Sequence, residues 1–100
     1  MKRAQTGFYC YILECSDGTF YTGWTTDPER RVLQHNKGVG AKYTSTRRPV
    51  KLVYLESHPS RAAAMKRELA IKKMKRAQKN RLAESGSLPE NRRENFRQIG

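Results

Sequence analysis

Residues Phe8 to Thr25 read FYCYILECSDGTFYTGWT, and the fold turns on how this stretch doubles back. Aromatic and β-branched residues dominate Phe8 to Cys15 and again Thr19 to Thr25, which suits two strands of a half-buried sheet. Between them lies Ser16-Asp17-Gly18, where Asp can hydrogen-bond its own backbone and Gly accepts positive φ. Two loop lengths satisfy this turn chemistry. A two-residue Asp17-Gly18 loop pairs Ser16 with Thr19 and puts Tyr11 and Tyr21 on opposite faces. A three-residue Ser16-Asp17-Gly18 loop, with Gly18 left-handed in a bulge, pairs Cys15 with Thr19. That register gathers Tyr9, Tyr11, Leu13, Tyr21 and Gly23 on one face.

The chain as a whole bounds what this hairpin can belong to. One hundred residues suit one small domain, and 36% apolar content gives a modest core that leans on aromatics. Lys and Arg total 21 against 9 acidic residues, a net charge of +12 spread along the chain. Such an excess calls for a polyanion, with nucleic acid ahead of an anionic membrane surface. Cys10 and Cys15 are the only cysteines; on one strand they stand about 16 Å apart, beyond disulfide reach. Free thiols imply a cytoplasmic setting. MKRAQTG at the start has no apolar signal-peptide core, and no run is long enough to span a membrane.

Downstream, Thr26-Asp27-Pro28-Glu29 starts a helix, with either Asp27 as N-cap before Pro28 or a Thr26/Glu29 capping box. The helix runs to about Asn36 before Gly38, with Val32 and Leu33 as its buried stripe and Arg31 and His35 four apart beside it. Lys37 to Pro49 reads as a loop of cations, hydroxyls and glycines suited to phosphate contacts, through Lys37, Lys42, Tyr43, Thr44, Arg47 and Arg48. Val50 to Ser57 is a third strand, with Val50, Leu52 and Tyr54 alternating against Val53 and Leu55. It returns beside the first strand, parallel to the second, for a sheet order of 2-1-3. Ser60 caps a helix over Arg61 to about Lys75, striped by Met65, Leu69, Ile71 and Met74. Glu68 is the sole acid between Arg61 and Ala83 and sits at the edge of that stripe, unless it merely pairs with Lys72 on the surface. Arg76 to Ser85 is helical again. Residues 1–86 form the domain, after a frayed lead-in at 1–7, and residues 87–100 form a mobile tail anchored only by Leu88, Phe96 and Ile99.

Tyr9-Cys10-Tyr11 followed by Tyr21-Thr22-Gly23 resembles the paired signature of the GIY-YIG nuclease superfamily, with YCY and YTG in place of GIY and YIG. The element order, Arg31 eight residues after Gly23, His35 one turn later, Glu68 on the helix after the third strand and Asn80 beyond it are similar to the same family. His35-Asn36 and the following G-x-G-A-x-Y-T resemble the small standalone bacterial members, the YhbQ-type group. The resemblance implies an α+β fold: a three-stranded mixed sheet of order 2-1-3 flanked by three helices, in the order β-β-α-β-α-α.

The resemblance also implies a metal-dependent endonuclease. Its site residues are Tyr11, Tyr21, Arg31, His35, Glu68 and Asn80, and Glu68 holds one Mg²⁺ or Mn²⁺. Arg31 suits the non-bridging phosphate oxygens, and Tyr11, Tyr21 and His35 compete for the base role. DNA is the expected partner, with RNA as the alternative. Branched or damaged structures, or weakly specific cleavage, suit a chain with no room for a second reading domain, and this points to a repair or recombination role. The rival readings are a catalytically silent nucleic-acid-binding module and a nuclease subunit that needs a protein partner. Sequence leaves the oligomeric state open.

Overall fold

In the computed structural model, which describes residues 7–85, β1 (Phe8–Glu14) is the middle strand of the sheet. Its partner β2 (Phe20–Thr25) follows through the three-residue loop. Cys15 N–H donates to Thr19 C=O at 2.8 Å, Gly18 N–H donates to Cys15 C=O at 2.9 Å, and Gly18 has φ 85°. Asp17 Oδ1 accepts from both the Thr19 amide and the Thr19 hydroxyl. The register that follows pairs Tyr11 with Gly23 and Leu13 with Tyr21. The two tyrosines therefore share a face, and Cys10 and Cys15 lie in different core clusters.

α1 (Pro28–Asn36) starts as the sequence predicts, with Asp27 Oδ1 accepting from Arg30 N–H at 3.2 Å and Pro28 in the first turn. Gly38, with φ 87°, follows its end. The buried stripe differs from expectation: Val32, His35 and Pro28 are buried, whereas Leu33 is 42% exposed. One helical turn, α2 (Lys42–Ser45), interrupts the expected loop. Asn36 then clamps the end of α1 to the start of the third strand, its side chain donating to Val50 C=O at 3.0 Å and accepting from Val50 N–H at 2.7 Å.

β3 (Lys51–His58) lies on the other side of β1 and gives the order β2-β1-β3. Both ladders are antiparallel, so the expected mixed sheet is not formed; β3 is parallel to β2, but β1 separates them. A bulge changes the faces of β3. Ile12 pairs with Tyr54 and Leu13 with Leu52, leaving Val53 without an opposite residue. Val50 and Leu52 therefore join the Tyr11 side of the core, while Tyr54 joins Cys10 and Ile12 on the other, splitting the trio expected on one face.

That second side is covered by α3 (Arg61–Lys72) and α4 (Arg76–Glu84), with Ala64 and Ile71 buried and Met74 and Leu82 packed alongside. Ser60 Oγ caps α3 by accepting from Ala63 N–H at 3.1 Å. Met65 and Leu69, expected to pack, are 44% and 58% exposed, because small Ala64 lets the helix approach the sheet on the face one residue round. The break between these two helices falls at residues 73–75, where Gln78 Oε1 accepts from Lys75 N–H. The expected frayed lead-in, apart from Gly7, and the mobile tail lie outside the described residues.

The Gly18 conformation is testable. A Cβ there would meet nothing within 4 Å, so the whole cost of Gly18→Val is the left-handed backbone, about 1–2 kcal/mol. Urea denaturation should show that loss with an unchanged m-value; an unaltered midpoint would contradict the turn.

Candidate active site

The face that carries Tyr11 packs against α1. Tyr11, Leu13, Cys15, Val32, Val50 and Leu52 form its core cluster, with Tyr21 partly buried against it. His35 is fully buried. Its Nε2 lies 3.1 Å from Tyr11 Oη, and its Nδ1 lies 2.8 Å from Thr44 Oγ1. Thr44 Oγ1 in turn donates to the Ala41 carbonyl at 3.2 Å. This last bond sets the direction of the others. A hydroxyl has one proton, and Thr44 directs it to Ala41, so Oγ1 accepts from Nδ1–H. The imidazole is then the Nδ1–H tautomer, and its bare Nε2 accepts the phenolic proton of Tyr11.

Two glycines make room for this pair. A Cβ on Gly23 would lie 2.5 Å from Tyr11 Oη, and one on Gly40 would lie 2.6 Å from His35 Nδ1 and 2.8 Å from its Cα. Tyr21 closes the side of the site: its ring centroid is 5.1 Å from that of His35 and 6.5 Å from that of Tyr11. Tyr43 stacks on Tyr21 at 6.0 Å, and the Arg47 guanidinium lies 3.9 Å from the Tyr43 ring centre.

Arg31 supplies the local positive charge. It is held by donation from Nη1 to Gln34 Oε1 at 3.0 Å and from Nη2 to the Gly40 carbonyl at 2.9 Å. Burial pushes the Tyr11 phenol up to about 12, opposed by the hydrogen bond and charge of Arg31. Burial holds His35 down to about 4, with Arg31 adding to the effect. Near pH 7 the pair is therefore neutral, with the proton on the phenol.

The structure brings Tyr11, Tyr21, Arg31 and His35 together. Glu68 stands apart on α3, its side chain 16% exposed and its carboxylate 2.9 Å from Lys72 Nζ. Its charge reaches both Tyr11 and Cys10, raising each. Among the described residues, no hydrogen bond joins Glu68 to Tyr11, Arg31 or His35. Asn80 is half-buried on α4, which packs against β3, and no hydrogen bond links it to Glu68.

The loop residues divide into two groups. Lys37, Lys42 and Tyr43 are exposed. Thr44, expected to contact phosphate, is fully buried and bonded to His35. Arg47 braces the loop against the hairpin turn: Nε donates to Asp17 Oδ2 at 3.1 Å, and its carbonyl accepts from Ser16 N–H. Arg48 donates to the carbonyls of Ser45 and Asn36.

A second polar group, unnoticed in the sequence, lies on the opposite sheet face. Glu56 Oε2 accepts from Arg67 Nε at 2.8 Å and lies 2.7 Å from His58 Nε2, while Oε1 accepts from the Tyr54 hydroxyl. Cys10 Sγ, a Glu56 oxygen and a His58 nitrogen lie within 4.8 Å of one another, a donor set suited to zinc more than magnesium. Arg67 already neutralises the carboxylate, and burial, followed by the charges of Glu56 and Glu68, pushes the Cys10 thiol up to about 11. The signal that could have revealed this group was the spacing Tyr54, Glu56, His58, hidden by the bulge.

Residues 7–81 match the model of the GIY-YIG catalytic domain. The chain is 57% identical over 74 residues to a UPF0213 protein of Halobacterium salinarum, covering 74% of this chain and 96% of that one. It is 51% identical over 82 residues to one of Clostridium perfringens, covering 82% and 88%. Among solved structures, it is similar to a UPF0213 protein of Bacillus halodurans, with TM-score 0.53 and 44% identity over 83% of this chain and 88% of that chain. An Enterococcus faecalis protein gives TM-score 0.55 and 43% identity over 84% and 90%.

The buried pair generates two predictions. The folded value of His35 lies below its unfolded 6.5, so the unfolded chain takes up the proton first as pH falls. Its contribution is complete above pH 6.5 and is lost on the way down to about pH 4, by about 3 kcal/mol in all. Urea midpoints measured between pH 7 and 4.5 should fall in the wild type, and His35→Gln should flatten that slope. Thr44→Val should cost about 1–3 kcal/mol by stranding a buried N–H. The imidazole ¹⁵N spectrum should read Nδ1–H in the wild type and lose that pattern in Thr44→Val.

Proposed function

This chain belongs to the GIY-YIG catalytic-domain family, a family of endonucleases, and on that premise we propose that it hydrolyses phosphodiester bonds in DNA with the help of a divalent metal. The observation that carries the reading is the directed hydrogen-bond chain from Tyr11 through His35 and Thr44 to Ala41, beside the Arg31 guanidinium.

Tyr11 is the proton-accepting group for the attacking water. Its own proton already points at His35 Nε2, leaving the phenolic lone pairs for a new one. As the water loses a proton to Oη, the phenol passes its proton to His35. The imidazolium so formed keeps both N–H groups bonded, one to Tyr11 and one to Thr44. Both groups rest neutral, so this transfer waits until the attack itself makes the water acidic. Arg31 meets the charge that builds on the non-bridging oxygens. Tyr21 and Tyr43 shape the wall beside it.

Glu68 is the residue that would hold Mg²⁺ or Mn²⁺. Its half-buried carboxylate suits a hard cation that keeps most of its waters, once Lys72 releases it. A bound cation would supply Lewis-acid help to the leaving oxygen. Asn80 is assigned a supporting role through a phosphate or Glu68. Lys37, Lys42 and Tyr43 form the outer phosphate track, which Arg47 and Arg48 support from beneath. The reading extends to a structure-selective or weakly specific substrate, a repair or recombination role and a cytoplasmic setting. Both cysteines are free and buried, and among the described residues no helix is long and apolar enough to cross a membrane.

Glu68→Gln tests this most directly. The loss of the Lys72 pair costs only about 0.5 kcal/mol, so fold and DNA affinity should persist. Cleavage of a branched DNA with Mn²⁺ should fall at least about a hundredfold. Arg31→Ala should lose both cleavage and some affinity. Equal cleavage by wild type and Glu68→Gln would remove Glu68 from the site. Absence of metal-dependent cleavage by the wild type on single-stranded, duplex and branched DNA would leave a nucleic-acid-binding module.

A further inference from the structure

Arg31 has a second setting. It lines an open cleft of ≈ 370 Å³ together with Trp24, Asp27, Arg30, Gln34 and Arg61. Three guanidinium groups thus border one cleft, and none of them has a carboxylate partner among the described residues. The one acid, Asp27, is engaged as the N-cap of α1. The cleft therefore keeps a net positive charge, three guanidinium groups against one carboxylate, in a chain of charge +12. Trp24 is its apolar wall, half-buried, with part of its ring packed against the Ile12 and Ala64 side of the core. Arg61 covers the ring loosely: its guanidinium carbon is 5.5 Å from the ring centre, against 3.9 Å for Arg47 on Tyr43 and 4.1 Å for Arg76 on Phe20.

We propose that this cleft binds one unpaired nucleotide of the strand whose neighbouring phosphate sits at Arg31. The inference rests on the nuclease reading for what happens to that phosphate, and on the cleft alone for binding. A cleft of this size admits a single nucleotide. A base stacks on the Trp24 ring, and Arg61, turning aside from the ring, meets its phosphate with Arg30. Stacking is indifferent to which base is present, so the cleft selects unpaired structure and not sequence. The preferred substrate is then a strand already splayed from its partner, at a branch, gap or frayed end.

Trp24 is the only tryptophan, so fluorescence excited at the red edge of the tryptophan band, where the tyrosines hardly absorb, reports on this cleft. The protein should be titrated in EDTA with a single-stranded DNA and with a blunt duplex carrying the same number of phosphates, at one ionic strength. Anisotropy of labelled DNA would follow binding in parallel. Saturable quenching by the single strand, with little quenching by bound duplex, is expected. Trp24→Leu should weaken single-strand binding about tenfold more than duplex binding, the scale of one lost base stack. Arg30→Ala/Arg61→Ala, which leaves the core intact, should show the same bias and guards against misfolding of the tryptophan variant. Equal quenching by both DNAs, binding without quenching, or equal losses for both DNAs in the arginine variant would overturn the proposal. Cleavage does not enter: quenching without cleavage in Mn²⁺ would fail the nuclease reading and keep the cleft, and cleavage without quenching would do the reverse.

Discussion

The constraint on which the structure depends is the register of β1 against β2. Three loop residues put Cys15 opposite Thr19, and every pairing above follows in steps of two. Tyr11 then faces Gly23 across the ladder, the one position without a side chain where its hydroxyl needs room. A loop shorter by one residue would put Tyr21 on the α3 side and bring Thr22 against His35. The turn is accordingly held on several sides. Asp17 accepts from Thr19 and from Arg47, and Ser16 donates to the Arg47 carbonyl by both its amide and its hydroxyl. The hairpin and the basic loop therefore set each other's position, and the loop carries Thr44 to His35.

Much of this was legible from the chain alone. The turn chemistry, the Asp27-Pro28 helix start, Gly38, the Ser60 cap and the strand order all rest on local rules with little competition. The shared face of Tyr11 and Tyr21 followed from strand alternation once the register was chosen, and the shared helix face of Arg31 and His35 from their spacing; it was the GIY-YIG resemblance that joined the two pairs. Thr44 was misread because a hydroxyl in a basic loop looks like a phosphate ligand. What decides its role is the fold of Lys42–Ser45 into a single turn over His35, a tertiary event with no local signature. Leu33 and Leu69 were assigned inward on hydrophobicity, but the sheet accepts smaller side chains on a neighbouring helix face, Val32 and Ala64 among them. The bulge opposite Ile12 and Leu13 was illegible for a different reason: nothing in Val53 announces that it lacks a partner, and one such residue exchanges the faces of everything after it.

The bulge also accounts for the two-sided character of the molecule. By turning Tyr54, Glu56 and His58 toward α3, it gives Arg67 an anchor on the sheet. Arg67 precedes Glu68, so the bond to Glu56 limits how far that turn of α3 can rotate. Glu68 is held near the sheet rim, close enough for its charge to be felt at Tyr11 on one face and Cys10 on the other. It is the only acid on α3.

A chain with 21 basic and 9 acidic side chains must place its cations without cancelling them. Salt bridges would fix their geometry at the cost of the charge that attracts a polyanion. The loop uses backbone carbonyls instead. Arg31 is held by Gly40, Arg48 by Ser45 and Asn36, and Arg47 by Tyr43 as well as Asp17. A carbonyl accepts in a fixed direction and leaves the guanidinium net positive. The same carbonyls belong to residues around His35, so the surface charge is anchored to the segment that orients Tyr11 and His35. Within that field the pair is kept neutral by burial, and a buried imidazolium beside Arg31 would be repelled before any substrate arrived. Positive charge is thus available at the surface and withheld one layer beneath it.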